Sequence, residues 1–495
     1  MYYFFLKIFS DVHKLRKTAF ELKIYSESFQ PLSCIIRFKN IGRAVINLVF
    51  SEIKKINARV FRPLLPAMAM QKDNRITRYF KEQKALFYRN YRLFMVGQSL
   101  SLVGTWIQRM AMMWLIYQLT HSALLLGVVG FCEQVPIFLI APFAGVYADK
   151  WDKHKALCRI EAFASLQALI LGLLTLFNVV QIWHIIALSL CLGVINAFEV
   201  PMRQSFGGEM VERDKASLSN AIALNSTIFN LSRLIGPSVA GILIGAVGEG
   251  WCFMANALSY AIVLISLLMM HIPKTAVKEI TETNVVKRLK EGIQYIKKND
   301  LMRSLLILLA VVSFSNASLR TLAPIFAKDV LKGGADTLGF PMSAAGVGAI
   351  CGALFLTQRK STALLKKIVS FTGILLGVGM ICFAISRSLV LSLLFIAIAG
   401  LCQMMHTACT NTLLQLHVDD DKRGRVMSFY TVCLQGTMPF GSLLAGAIAG
   451  VIGGPWAIAI MGSICLVATL FLREKNAHSR IKKIKMEREA LASHQ

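Results

Sequence analysis

The sequence predicts an all-α membrane protein with twelve transmembrane helices in two parallel six-helix repeats. Three observations carry that prediction: long apolar runs, an alternating charge pattern in the loops, and an internal repeat. Of the 495 residues, 55% are hydrophobic and only 16% are charged, whereas a soluble domain carries about a quarter charged residues. The deficit comes from segments that exceed the roughly 18 apolar residues marking a bilayer-spanning helix.

Taken in order, residues 1–78 form a basic N-terminal extension, interrupted by Pro31, Pro63 and Pro66. Ile41–Val60 has helical apolar spacing with interspersed cations, which fits a membrane-surface helix. The competing expectation is a start at Met68 or Met70, beyond which every spanning segment is still present. The first six spans are expected near 93–118, 123–148, 156–178, 182–202, 217–247 and 251–271. A polar, basic linker follows at 272–302. Spans 7–12 are expected near 303–327, 338–357, 364–386, 389–411, 426–450 and 452–472, and residues 473–495 form a basic tail. The chain therefore divides into six-helix bundles at 79–271 and 303–472.

Loop charge tests that count. With the N-terminus inside, the inner loops hold 22 Lys and Arg residues, and the outer connections hold 3 (Lys328, Lys332 and Arg387). This is the positive-inside pattern expected for twelve spans with both termini in the cytoplasm. A missed helix would have inverted the alternation from that point on. The formal charge of +27 thus reads as topology and attraction to anionic headgroups, not as nucleic-acid binding. Eleven scattered cysteines without a Cys-x-x-Cys pair read as small buried hydrophobes.

The halves also repeat. Val211-Glu-Arg-Asp214-Lys215 matches Val418-Asp-Asp-Asp421-Lys422 at an offset of 207 residues, which also carries Gly145 onto Gly352 and Lys153 onto Lys360. Gly236-Pro-Ser-Val-Ala-Gly241 matches Gly441-Ser-Leu-Leu-Ala-Gly446 at an offset of 205. Six spans return the chain to its starting side, so the repeats run parallel.

Ionisable side chains inside spans are costly and mark pathways or partners. Arg109, Glu133, Glu199, Arg233, Arg320 and His406 make up that group. Spans 1 and 2 adjoin through a tight loop, so Arg109 and Glu133 are expected to pair. Three readings stand for Glu133: a proton exchanger during transport, one half of a static ion pair that fixes packing, or an interfacial position. Glu199 lies three residues before a basic loop and fits a cytoplasmic gate network better than substrate contact. His406 is open between a satisfied polar residue and a titratable site. Arg233 precedes Gly236-Pro237, where proline opens the backbone ladder and kinks the helix.

Between spans 2 and 3 lies Gly145-Val-Tyr-Ala-Asp149-Lys150-Trp-Asp152-Lys153-His154-Lys155. With the two parallel sixes, it resembles the signature loop of the major facilitator superfamily. Gly145, Asp149, Lys150 and Lys153 match, and Asp152 stands where that motif usually has Gly. Gly97-Gln-Ser-Leu-Ser-Leu-Val-Gly104-Thr-Trp106, Arg233-Leu-Ile-Gly236-Pro237, Asn256-Ala-Leu-Ser-Tyr260 and Arg423-Gly-Arg425-Val resemble the enterobactin-exporter and macrolide-efflux (transmembrane secretion effector) branch. The resemblance covers about residues 85–472.

It implies a secondary transporter, a proton-coupled exporter of a siderophore or hydrophobic drug-like molecule whose two bundles rock about a central site. It also implies that Asp149 pairs across the bundle interface, with Arg203 or Arg213 as candidate partners. The Gly236-Pro237 region is implied as a hinge-like element, against the plainer reading of close helix packing. Three alternatives remain: a lysophospholipid or other lipid transporter, a membrane sensor or scaffold on a transporter fold, and a permease lacking its own ATPase. A small-molecule substrate and protons are the expected partners of a monomer. No enzyme is expected, and no cofactor or metal: the chain has neither a phosphate-binding Gly-x-x-x-x-Gly-Lys loop nor His-Glu-x-x-His.

Overall fold

The computed structural model describes residues 84–211, 215–270, 285–357, 361–419 and 422–492, with backbone only at 84, 141–150, 208–209, 215–216, 219, 285–289, 336, 357 and 475–492. The expected surface helix at Ile41–Val60 lies outside the described residues. Every described element is helical, as a bilayer requires: a spanning chain must satisfy its own backbone N–H and C=O groups.

Spans 1–6 are Arg89–Thr120, Ala123–Lys150, Lys153–Leu176, Ile182–Glu209, Lys215–Val247 and Glu249–Leu268. Spans 8–10 and 12 are Ala335–Thr357, Thr362–Ile385, Leu389–His417 and Gly454–Ala492. Span 7 runs over Asp300–Thr321, breaks at Leu322, and continues through Ala323–Ile325 into a π-helical turn at Phe326–Val330. Span 11 likewise passes from Arg423–Thr431 through a π-helical Val432–Gly436 into Met438–Ile452. Eleven of these helices are long and apolar enough to cross a membrane. Span 1 is the twelfth. It is 32 residues long, and Gln98, Gln108 and Arg109 lower its hydropathy.

Of the described residues, 84–89 and 215–220 form one compact unit and the rest form the other. In the first, the Ala85 amide donates to Asn220 Oδ1 at 3.2 Å. The second contains both sets of six, and its packing repeats. Span 2 packs on span 4 and span 3 on span 6, as span 8 does on span 10 and span 9 on span 12. The turns repeat too. Spans 5 and 6 meet at Gly248 and spans 11 and 12 at Gly453, with φ of 86° and 90°, a region that favours glycine. These turns are 205 residues apart, the spacing already seen between Gly236 and Gly441.

Two related contacts join the sets: span 2 to span 11, and span 5 to span 8 through Ser238 Oγ and Ser343 Oγ at 2.6 Å. Exchanging the halves converts one contact into the other. Small residues permit the first. A methyl group on Gly127 would meet the Ser442 carbonyl and the Gly446 backbone, the close approach by which membrane helices associate. Edge-on contacts of Phe440 with Phe131 and Phe138 extend the seam. A third contact is the Tyr117 hydroxyl, which donates to Asp329 beyond the break in span 7. The outermost of these contacts, Tyr117 with Asp329 and Gly127 with Gly446, lie toward the ends opposite the basic loops.

The linker contains a helix, Val285–Lys298. Glu291 pairs with Arg425 at 2.8 Å, and Tyr295 accepts from the Asp419 amide at 3.3 Å. The last span also runs on as helix into the segment expected to be only a basic tail.

Candidate functional site

Arg109 and Glu133 come together as their sequence positions predict. Ser122 starts span 2 by accepting from the Leu125 amide, so both residues sit at matched distances from one short connection. At 1.5 Å per residue, each lies about 15–17 Å from that end of its helix, near the middle of a roughly 30 Å hydrocarbon layer. Arg109 Nε approaches Glu133 Oε1 to 2.6 Å, and Glu133 is buried. The Nε–H is not aimed at that oxygen and has no hydrogen-bond acceptor. The guanidinium also lies over the Trp106 ring, 5.6 Å from its centroid. The contact is an ion pair without hydrogen-bond alignment.

Arg320 enters the same region from the opposite set, within electrostatic range of Arg109, Arg233 and Glu133. Its Nη2 donates to Met438 Sδ at 3.3 Å, a weak acceptor. Met438 lies two residues past the π-helical stretch of span 11, a distortion that tends to occur at functional sites. Neither Arg233 nor Arg320 has a carboxylate within ion-pair distance among the described residues.

Gly236 and Pro237 sit inside a helix that stays continuous from Lys215 to Val247. The missing proline N–H leaves the Arg233 carbonyl without its usual helical donor. Next to it, the Ser343 hydroxyl donates to the Leu234 carbonyl at 2.9 Å, so this part of span 5 is stitched to span 8.

Toward the basic loops lies a second polar group. Arg203 Nη1 contacts Glu199 Oε1 at 2.9 Å and donates to Gln98 Oε1 at 3.2 Å. Gln98 Nε2 in turn donates to Glu161 Oε1 at 3.4 Å. Glu161 is fully buried, and its Oε2 has no partner. Sequence reasoning missed Glu161, although a carboxylate five residues inside an apolar run was the signal.

An amide relay holds the same set of helices. Asn256 Nδ2 donates to Gln108 Oε1 at 2.6 Å, and Gln108 Nε2 donates to Gln167 Oε1 at 3.0 Å. Tyr260 and Thr105 share a hydroxyl contact at 3.1 Å. This gives the Asn256–Tyr260 stretch a physical role.

His406 is fully buried in the second set, its Nδ1 3.2 Å from the Val369 carbonyl and its Nε2 without a partner. In the loop, Asp152 caps span 3, its carboxylate accepting from the Lys155 amide at 3.2 Å and meeting the Lys155 ammonium at 3.3 Å. That accounts for a carboxylate where the signature has Gly. The helix of span 2 extends through Gly145, Asp149 and Lys150, whose side chains lie outside the described residues, as does Arg213. Lys153 opens span 3.

Comparison with known proteins agrees with this architecture. A family model described as a transmembrane secretion effector matches residues 85–494. The staphyloferrin A transporter of Staphylococcus aureus is 28% identical over 77% of this chain and 95% of its own. Macrolide efflux protein A of Streptococcus pyogenes is 22% identical over 74% and 92%. The enterobactin exporter of Shigella boydii is 22% identical over 77% and 92%. Among solved structures, a nucleoside transporter superposes with a TM-score of 0.62 at 10% identity, covering 79% of this chain and 99% of that one. An inward-facing bacterial homologue of the lysosomal transporter Spinster gives 0.60 at 15% identity, covering 79% and 96%.

Proposed function

We propose, because the chain belongs to the transmembrane secretion effector family of the major facilitator superfamily, that it exports a siderophore or drug-like small molecule across the bacterial inner membrane. It is a multi-pass transporter and not an enzyme. Relatives that move staphyloferrin A and macrolides support the substrate range. The observation that carries the reading is the group of charges at mid-membrane between two helix sets, Arg109, Glu133, Arg233 and Arg320. Charge at that depth is retained for a pathway.

Transport proceeds by rocking of the two sets. The contacts of span 2 with span 11, of span 5 with span 8 and of Tyr117 with Asp329 hold one side shut. Their release, with closure at the basic-loop side through Asp149, exposes the site to the other face. Both termini are cytoplasmic in this reading.

Two places are suited to hold the coupling proton. Glu133 is one, since protonation would release Arg109. The other is Glu161 with Glu199: two buried carboxylates facing one guanidinium balance only when one of them carries a proton. We favour the second, because its Glu161 oxygen has no partner in its present state. Proteoliposomes with an imposed pH gradient test this, with erythromycin, a hydroxamate siderophore and ethidium as trial substrates. Glu161→Gln is expected to abolish proton-driven accumulation while sparing substrate exchange at equal pH. If accumulation survives both Glu161→Gln and Glu133→Gln, the coupling assignment is wrong. If a folded protein moves none of a broad panel, the exporter reading fails.

A further inference from the structure

We infer that the mid-membrane site binds a small organic polyanion, a molecule presenting two or more carboxylates. This rests on the transporter reading and assigns its substrate class. The argument is one of charge balance. Arg320 lies within electrostatic range of Arg109, Arg233 and Glu133, and Glu133 is the carboxylate among them. Glu133 is already engaged by Arg109. Two further buried carboxylates described in the first set are held elsewhere, Glu199 by Arg203 and Glu161 Oε1 by Gln98. Asp329 accepts from Tyr117. His406 sits between spans 9 and 10 against the Val369 carbonyl. The site therefore holds a surplus of two positive charges.

Such a surplus is expensive inside a membrane protein, where buried charges are normally paired. Arg320 carries five N–H donors, and its one hydrogen bond among the described residues goes to a thioether sulfur. Arg233 makes no hydrogen bond or ion pair among the described residues, while its own backbone carbonyl is freed by Pro237. Guanidinium forks match carboxylates in a bidentate fashion. Two of them, one from each helix set, would clamp one carboxylate each. A polyanion bound this way links the sets, which is what a substrate must do to pass between them. Trp106 beneath Arg109 and the Phe131, Phe138 and Phe440 edge contacts add apolar surface for the body of such a molecule.

The test is equilibrium binding of radiolabelled tricarballylate, a plain tricarboxylate, to the full chain in nanodiscs of zwitterionic lipid, with ethidium as a cationic comparison. Tricarballylate is expected to bind. Arg233→Gln and Arg320→Gln are each expected to weaken it roughly tenfold or more, the value of one charge-assisted contact, and Arg320→Lys is expected to restore part of the loss. Gel filtration and thermal unfolding of each variant establish that it is folded. Absence of tricarballylate binding, or binding indifferent to both Gln substitutions, overturns the inference. So does loss of binding when phosphatidylglycerol replaces the zwitterionic lipid, because the occupant would then be a lipid phosphate. Transport of ethidium without tricarballylate sinks the polyanion while leaving the exporter reading intact. A folded protein that transports nothing counts against the exporter reading itself.

Discussion

At the scale of single residues, Asp152 offers a direct measurement. Its carboxylate caps span 3, and removing such a cap costs about 1 kcal/mol, so Asp152→Ala should speed amide exchange in that first turn about fivefold. Partial burial pushes the Asp152 carboxyl upward, but the Lys155 amide and ammonium, aided by His154, outweigh it and hold the carboxyl below its ordinary value. A lowered folded value means the contribution is fully present above the unfolded carboxylate pKa. It is lost as pH falls through the folded one. Asp152→Asn keeps the cap and should remove that acid dependence. The Arg109–Glu133 pair gives a second measurement. Glu133→Leu leaves Arg109 without its ion pair and should destabilise by about 3 kcal/mol, whereas adding Arg109→Met should recover most of the loss without recovering transport. Unfolding and transport assays on the two variants separate packing from function. The pair was legible in sequence because one short loop sets both residues at the same depth. Glu161 was not, since it lies near the uncertain start of span 3, two residues after the loop cation Arg159.

At the scale of elements, the helices were legible from their apolar runs, and the single-glycine turns follow from the repeat. The linker helix Val285–Lys298 was not recognised. Its apolar positions Val286, Leu289, Ile293 and Ile296 have helical spacing, but the lysines between them gave the segment the composition of a polar loop. The π-helical turns in spans 7 and 11 left no readable mark, because they depend on how each helix packs against its neighbours. The seam between spans 2 and 11 can be locked. A Cβ built on Gly450 falls 3.9 Å from the Leu124 Cβ, inside the usual range for a disulfide. Leu124→Cys with Gly450→Cys should therefore cross-link under oxidation and stop transport, and reductant should restore it. Transport unaffected by a complete cross-link would show that this seam does not open.

For the whole molecule, the charge alternation and the repeat pointed to twelve spans in two sets of six, and the helices of the structure follow that order. Which charges remain without partners could not be read that way. Arg109, Arg233 and Arg320 are far apart in sequence, and three cations against Glu133 and Glu199 looked nearly balanced. The imbalance appears only once Glu199 is seen with Arg203 and Glu133 with Arg109. That leftover charge bears on what powers the transporter. A cell interior is electrically negative, and each negative charge that leaves releases about 2.3 kcal/mol per 100 mV. A cargo with two or three carboxylates thus carries its own driving force, and voltage alone moves it outward. A potassium-diffusion potential, negative inside, should accelerate tricarballylate efflux from proteoliposomes at equal pH, and reversing its sign should slow it. The two arginines without an ion pair among the described residues would let voltage, ahead of protons, drive the proposed export.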